Sequence, residues 1–200
     1  LYNETNGSAI LPTPVIGGVG VIDDLATMVT TAFPAAGQTI ILIGDTHGHL
    51  GASLWLREIG ALEAGTPPPV NLGQERKNGD LVRTLITDGT ISACHDISGG
   101  GMLVALANMA LAGNIGCEIN LPDAIDAETA WLFGEDQGRY LLTTSDPDAV
   151  LSRVNDGYIS AMMLGTTGGT SLTVGGLPPI SLEAMRDVHE GWLPGYMAAS

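Results

Sequence analysis

The sequence predicts an α/β protein, an α+β sandwich in which one mixed β-sheet is packed with helices. Short β-branched runs alternate along the chain with longer stretches at helical spacing. An apolar fraction of 44% with 28 glycines in 200 residues is enough to bury one good core. No segment repeats at a fixed period and none is of low complexity, which excludes a solenoid.

Taken in order, residues 10–14 (Ile-Leu-Pro-Thr-Pro) read as a loop entering a buried, glycine-punctuated strand over residues 15–22, closed by Asp23 and Asp24. Residues 25–32 have room for one or two helical turns. A domain boundary falls near residues 35–37, dividing the chain into 1–35 and 36–200. The β-branched run 39–44 (Thr-Ile-Ile-Leu-Ile-Gly) is the strongest strand signal. A small-residue loop follows it, then a helix-like stretch over residues 54–59.

Three prolines at 67–69 make a rigid turn that no helix interior tolerates. Residues 72–88 carry Leu72, Leu81, Val82, Leu85 and Ile86 near helical spacing and end at Asp88-Gly89, a C-cap signal. A strand at 91–94 leads through glycines into a helix over 102–112, stopped by Gly113-Asn114. Strands are expected at 116–121, 139–144, 161–165 and 171–174. Helices are expected at 126–132, 147–154 and 181–190, the last opened by Ser181 and Glu183.

The formal charge is −15, from 7 Lys+Arg against 22 Asp+Glu. Nucleic acid is excluded as a sequence-independent partner, because such a grip needs clustered cations to displace counterions. An anionic membrane surface is disfavoured for the same reason. No run approaches the ~20 apolar residues of a membrane span, and no signal peptide opens the chain, so a cytoplasmic protein is expected. Cys94 and Cys117 stand alone in apolar settings and read as small buried hydrophobes.

With so few cations, a phosphorylated ligand has to be held by backbone N–H groups, a helix N-terminus or carboxylate-bridged Mg²⁺. Glycine loops therefore become the candidate sites. One is residues 44–53, where Gly44, Asp45, Thr46, Gly48 and Gly51 follow a strand. Its His47 and His49 also have the types a transition metal accepts, although no further His or Cys cluster matches them in spacing. The other is His95-Asp96-Ile97-Ser98-Gly99-Gly100-Gly101, read as lying just past a strand and just before a helix. There Asp96 can hold Mg²⁺ and His95 can move a proton, while an equally simple reading has Asp96 and Ser98 capping the helix. A third cluster, residues 133–139 (Phe-Gly-Glu-Asp-Gln-Gly-Arg), places two carboxylates in a glycine turn. It reads either as a Mg²⁺-nucleotide contact or as an Asx-type turn with Arg139 in a surface ion pair.

These motifs, in this order, resemble the C-terminal part of the phosphoribosylformylglycinamidine synthases, the PurL ligases of purine biosynthesis, in the superfamily that includes aminoimidazole ribonucleotide (AIR) synthetase. The resemblance rests on residues 1–5 with 12–17, on 44–53, on 95–101, on 132–140, and on the ending at 190–197 (Glu-Gly-Trp-Leu-Pro-Gly-Tyr-Met). The sequence departs from it at Ser98-Gly99-Gly100-Gly101, where relatives commonly read Ser-Asp-Gly-Gly, and at His47 and His49 in place of a more acidic run.

The resemblance implies a tandem duplication of N-type and C-type domains. Residues 1–35 would be the end of the second N-type domain, and 36–200 the second C-type domain with the AIR synthase-related fold. It also implies a reaction in which ATP and Mg²⁺ activate the amide oxygen of formylglycinamide ribonucleotide as a phosphorylated imidate, which ammonia displaces. The partners implied are the rest of the same enzyme, the PurQ glutaminase and PurS, since no glutaminase sequence is present. Phosphate or nucleotide contacts are then expected at Gly44, Asp45, Thr46, Gly48, Gly51, His95, Ser98, Gly99, Gly100 and Gly101, with Mg²⁺-linked contacts at Glu4 and Asp96.

Two other readings stand beside this one. The chain could be a structural and interaction domain that packs on the other half of the enzyme without binding substrate. It could also belong to a related selenophosphate or thiamine-phosphate kinase type, against which the 190–197 ending speaks. On its own the fragment is expected to be inactive and to self-associate through an exposed apolar edge.

Overall fold

The computed structural model describes residues 4–10, 15–122 and 127–198. Residues 1–3, 11–14 and Asp126, expected in motifs, a loop and a helix, lie outside the described residues. Within them the chain forms one seven-stranded sheet with helices on both faces, and a small separate hairpin.

The hairpin, β1 (Glu4–Thr5) and β2 (Ser8–Ala9), turns through Asn6 and Gly7, both at positive φ. Asn-Gly is the preferred pair for such a turn, so the signal was present in the sequence although no strand was expected there. Residues 15–22 are not the buried strand the apolar run predicts. They pair with nothing in the sheet, and Val15, Ile16, Val19 and Val21 stand exposed. Glycines at 17, 18 and 20 weaken a strand, and no described layer covers this one. Of the helical turns expected at 25–32, one 3₁₀ turn forms at Leu25–Thr27, capped by the Asp24 side chain.

The sheet is built from β3 (Thr39–Ile43), β4 (Ala93–Ile97), β5 (Cys117–Ile119), β6 (Arg139–Thr144), β7 (Ala161–Thr167), β8 (Ser171–Val174) and β9 (Ile180–Ser181). Its order is β4-β6-β3-β7-β5-β8-β9, and only β5 and β8 pair in parallel among the described strands. The expected mixed sheet packed with helices is observed.

Strand periodicity divides the core. Ile40 and Leu42 of β3, with Leu141 of β6, face a cluster that includes Met102, Leu106 and Met109 from α3 (Gly101–Gly113). The alternate residues Ile41, Ile43 and Leu142 face Val82 and Leu85 of α2 (Leu72–Thr87) and Val150 and Val154 of α5 (Pro147–Asp156). A two-residue period thus supplies two apolar faces, each covered by a helix. The remaining helices are α1 (Leu54–Glu58), α4 (Glu128–Phe133) and α6 (Leu182–Ala198).

Two boundaries differ from expectation. The strand read at 91–94 lies at Ala93–Ile97, because β4 keeps register with β6 as far as Ile97 opposite Arg139. His95 and Asp96 are therefore strand residues, not residues past its end. The last helix runs through Pro194 to Ala198, eight residues beyond the expected stop.

Candidate functional site

β3 and β4 are each antiparallel to β6 and lie on either side of it, so they run parallel to each other. Their C-terminal ends emerge at the same end of the sheet, flanking the point where β6 begins at Arg139. The two glycine loops, after Ile43 and after Ile97, are thereby brought together, and the turn 134–138 that feeds β6 lies between them. Neighbouring strand ends, with loops that present backbone N–H groups, are where α/β folds commonly hold ligands.

The turn uses its carboxylates on the loops. Asp136 Oδ2 accepts the N–H groups of His47 at 3.1 Å and Gly48 at 2.9 Å, and Oδ1 accepts that of His49 at 3.3 Å. Glu135 Oε1 accepts the Leu54 N–H at the start of α1 and the Gly100 N–H at the start of α3, each at 2.8 Å. Gly100 is the N-cap of α3, with no side-chain cap of its own, so neither Asp96 nor Ser98 caps this helix as the simpler reading had it. The positive end of the helix is met by Glu135 instead.

Arg139 is not in a surface ion pair. Its side chain is 0% exposed, donating to Thr46 Oγ1 at 3.1 Å and to the carbonyls of Asp136 and Gly134, with its guanidinium 3.9 Å from Asp136 Oδ2. Burial pulls its pKa down and Asp136 pushes it back up. The buried cation thus sits among oxygens drawn from both the turn and the first loop, the arrangement a desolvated charge requires.

Close backbone packing explains two of the glycines. Gly101 has φ +72°, and a Cβ there would lie 2.6 Å from the Phe133 carbonyl carbon. Gly134 faces Gly48, and a Cβ on Gly134 would lie 2.8 Å from Gly48 Cα. Each loop is pressed against the 133–134 corner.

Two cavities open on this unit. One of about 440 Å³ is lined by Ser53, Leu54, Arg57, Glu63 and Glu135 among others. The other, of about 190 Å³, is lined by Asp45, His47, Gln74, Asn78, Asp136 and Gln137 among others. His49 is committed to the fold, its Nε2 lying 2.7 Å from the Thr66 carbonyl oxygen. His95 Nδ1 sits against the Asp96 carbonyl oxygen and 3.5 Å from the Asp96 carboxylate, on the outer strand of the sheet. The Asp96 carboxylate is 66% exposed, and Glu4 lies in the separate hairpin.

Among the described residues, no three His, Cys, Asp or Glu side chains converge as a metal cage. Cys94 and Cys117 are free thiols, and burial pushes each up to about 12, as suits small apolar fillers.

The sequence identified the glycine loops but not what fills them. The carboxylates of residues 133–139 were visible as a pair, but the backbone amides they accept lie 35 to 89 residues away. No local spacing signals such a contact.

A mixed sheet with helices on both faces, and two glycine loops joined at one end of it, defines a domain of the AIR synthase type. Residues 35–175 match the family described as AIR synthase related protein, C-terminal domain, and the chain belongs to that family. It is 51% identical over 200 residues to the phosphoribosylformylglycinamidine synthase subunit PurL of Rhodopseudomonas palustris (strain HaA2), covering 99% of this chain and 27% of that protein. The chain thus spans about a quarter of the length of the curated relatives it matches. Among solved structures it is similar to Thermotoga maritima PurL complexed with FGAR, with a TM-score of 0.68 and 17% identity over 80% of this chain and 30% of that one. T. maritima PurL complexed with ATP gives a TM-score of 0.62 and 15% identity over 80% and 27%. At such identities these structures speak for the fold alone. No helix among the described residues is long and apolar enough to cross a membrane.

Proposed function

We propose that this chain is the C-terminal portion of an ATP-dependent carbon–nitrogen ligase that converts formylglycinamide ribonucleotide to formylglycinamidine ribonucleotide. The observation that carries the reading is the 51% identity to a PurL subunit across nearly the whole chain. T. maritima PurL, which shares the fold, is known in complexes with FGAR and with ATP, and this reading carries those two ligands over to the present chain. In this reading residues 1–35 end an N-type domain and residues 36–200 form the C-type domain. The family match beginning at residue 35 supports that division. Mg²⁺ would arrive with the nucleotide and be completed from the rest of the enzyme, while PurQ and PurS would supply ammonia in the cytoplasm.

Within this reading the glycine loops face the nucleotide or ribotide phosphates. Gly44, Asp45, Thr46, Gly48 and Gly51 lie on one side, and His95, Ser98, Gly99, Gly100 and Gly101 on the other, with Glu4 and Asp96 as polar contacts. Helix α3 adds the field of its N-terminus. A second reading, a structural domain that binds no substrate itself, is favoured by one observation: Glu135 and Asp136 already accept amides of both loops.

The test is a chimera in which this chain replaces the matching part of the R. palustris subunit, assayed for amidine formation from the ribonucleotide, ATP and ammonia. Activity comparable to the parent is expected. A folded chimera with no activity would overturn the ligase reading. Asp96→Ala and Ser98→Ala then separate the two readings: a rise in KM for ATP or ribonucleotide supports loop contacts, and unchanged kinetics support the structural role.

A further inference from the structure

We propose that Glu135 is a positioning residue that couples the two glycine loops, so that a change at one is felt at the other. The two N–H groups it holds come from different elements, Leu54 of α1 and Gly100 of α3, and they meet on the same oxygen, Oε1. Leu54 and Gly100 are separated by strand β4, helix α2 and the connections between them, so no local chain link joins them. A second contact follows the same path, since the Leu54 side chain lies over Gly99, where a Cβ would stand 3.0 Å from Leu54 Cδ1.

The neighbouring residue does something different. Asp136 binds three amides of one loop and shares Arg139, which holds that loop to the turn but does not reach α3. Of the two adjacent carboxylates, Glu135 spans both loops and Asp136 anchors one.

The physical consequence concerns side-chain order. Fixing a Glu side chain costs conformational entropy, and here two hydrogen bonds share that cost. When one donor withdraws, the other bond alone must hold the carboxylate, and the remaining loop is held more weakly. An anionic group approaching Gly100 competes with Glu135 and so also loosens the start of α1. The coupling goes beyond the ligase reading and is measured without ligand, so failure of one leaves the other standing.

Leu54 offers a clean way to remove one donor. It occupies the first helical position of α1, where proline is well tolerated, and the preceding Ser53 is extended (φ −84°, ψ 162°), as a residue before proline prefers. Leu54→Pro deletes the N–H and the side chain, whereas Leu54→Ala deletes the side chain alone. The readout is amide hydrogen exchange in this 200-residue chain at Gly100, with Gly48, held by Asp136, as reference.

Gly100 is expected to exchange about four- to fivefold faster in Leu54→Pro than in Leu54→Ala, the share of fixing one Glu side chain that the Leu54 bond carries. Glu135→Gln, which keeps an acceptor oxygen, should fall between wild type and Glu135→Ala at both Leu54 and Gly100. Equal exchange at Gly100 in Leu54→Pro and Leu54→Ala would overturn the coupling. So would an unchanged effect of Leu54→Pro in the Glu135→Ala background, because it would show that the effect bypasses Glu135.

Discussion

Asp136 accepts the backbone N–H of Gly48 at 2.9 Å from a position 88 residues further along the chain, and the same carboxylate lies beside the buried Arg139. Removing it leaves three amides and a desolvated guanidinium short of a partner. Breaking such a buried pair from one side is expected to cost about 3 kcal/mol or more. Asp136→Ala should lower the unfolding free energy measured in urea by that amount, with a lower midpoint, while Asp136→Asn, which keeps one acceptor oxygen, should lose about half of it. An unchanged midpoint in Asp136→Ala would show that Arg139 is held by its carbonyl and Thr46 contacts alone.

Those contacts mark the limit of what local pattern reveals. The strands at 139–144 and 171–174 and the helix from residue 72 were legible because each carries its own periodicity or end signals, such as Asp88-Gly89, which ends the helix as expected. The glycine loops were legible as loops. Residues 15–22 misled, since an apolar run reads as a strand whether or not a neighbour exists to pair with it. His95 and Asp96 were displaced from loop to strand because the register with β6, a long-range property, sets where β4 ends. The burial of Arg139 was not legible for a related reason: it depends on Thr46, 93 residues away, closing over the guanidinium together with the Gly134 carbonyl.

The corner at Gly101 should be the least tolerant of a methyl group among the loop glycines argued above. Gly101→Ala combines positive φ with a Cβ 2.6 Å from the Phe133 backbone, and is expected to destabilise by about 3 kcal/mol. Gly169 provides the contrast, with φ +70° and nothing within 4 Å of a Cβ. There Gly169→Ala should cost about 1 kcal/mol, the conformational part alone. Comparable thermal midpoints for the two variants would contradict the close packing of residue 133 on the loop.

The two thiols contribute to a loss of stability at alkaline pH. In each, burial raises the folded-state value from 9.0 to about 12. A raised value means the folded chain holds the proton more tightly than the unfolded one. The contribution is therefore complete below pH 9.0 and is lost as pH rises from there toward about 12. Urea midpoints should fall across that window, and less steeply in a Cys94→Ala, Cys117→Ala double variant. In the native chain near pH 8, both thiols should resist a disulfide reagent that reacts with them at once in urea. Rapid native reaction at Cys117, which is 1% exposed, would rule out its burial.

Residues 15–25 leave their apolar side chains in water. Val15, Ile16, Val19 and Val21 are each close to fully exposed, with Ile22 and Leu25 more than half so. Burying an aliphatic side chain of this size is worth about 1.5 kcal/mol or more, so several together favour any surface that covers them. In the proposed reading the rest of the N-type domain would do so, and in the isolated chain a second copy is the available substitute. Light scattering coupled to size-exclusion chromatography should show a mass that rises with concentration from that of one chain, 20.6 kDa. Val19→Glu with Val21→Glu should return it to the monomer by burying charge in the same contact, at a net charge that already repels. A single-chain mass at every concentration would show that these side chains drive no association, and the exposed run would then contribute only to the unfolded-like solvation of that segment.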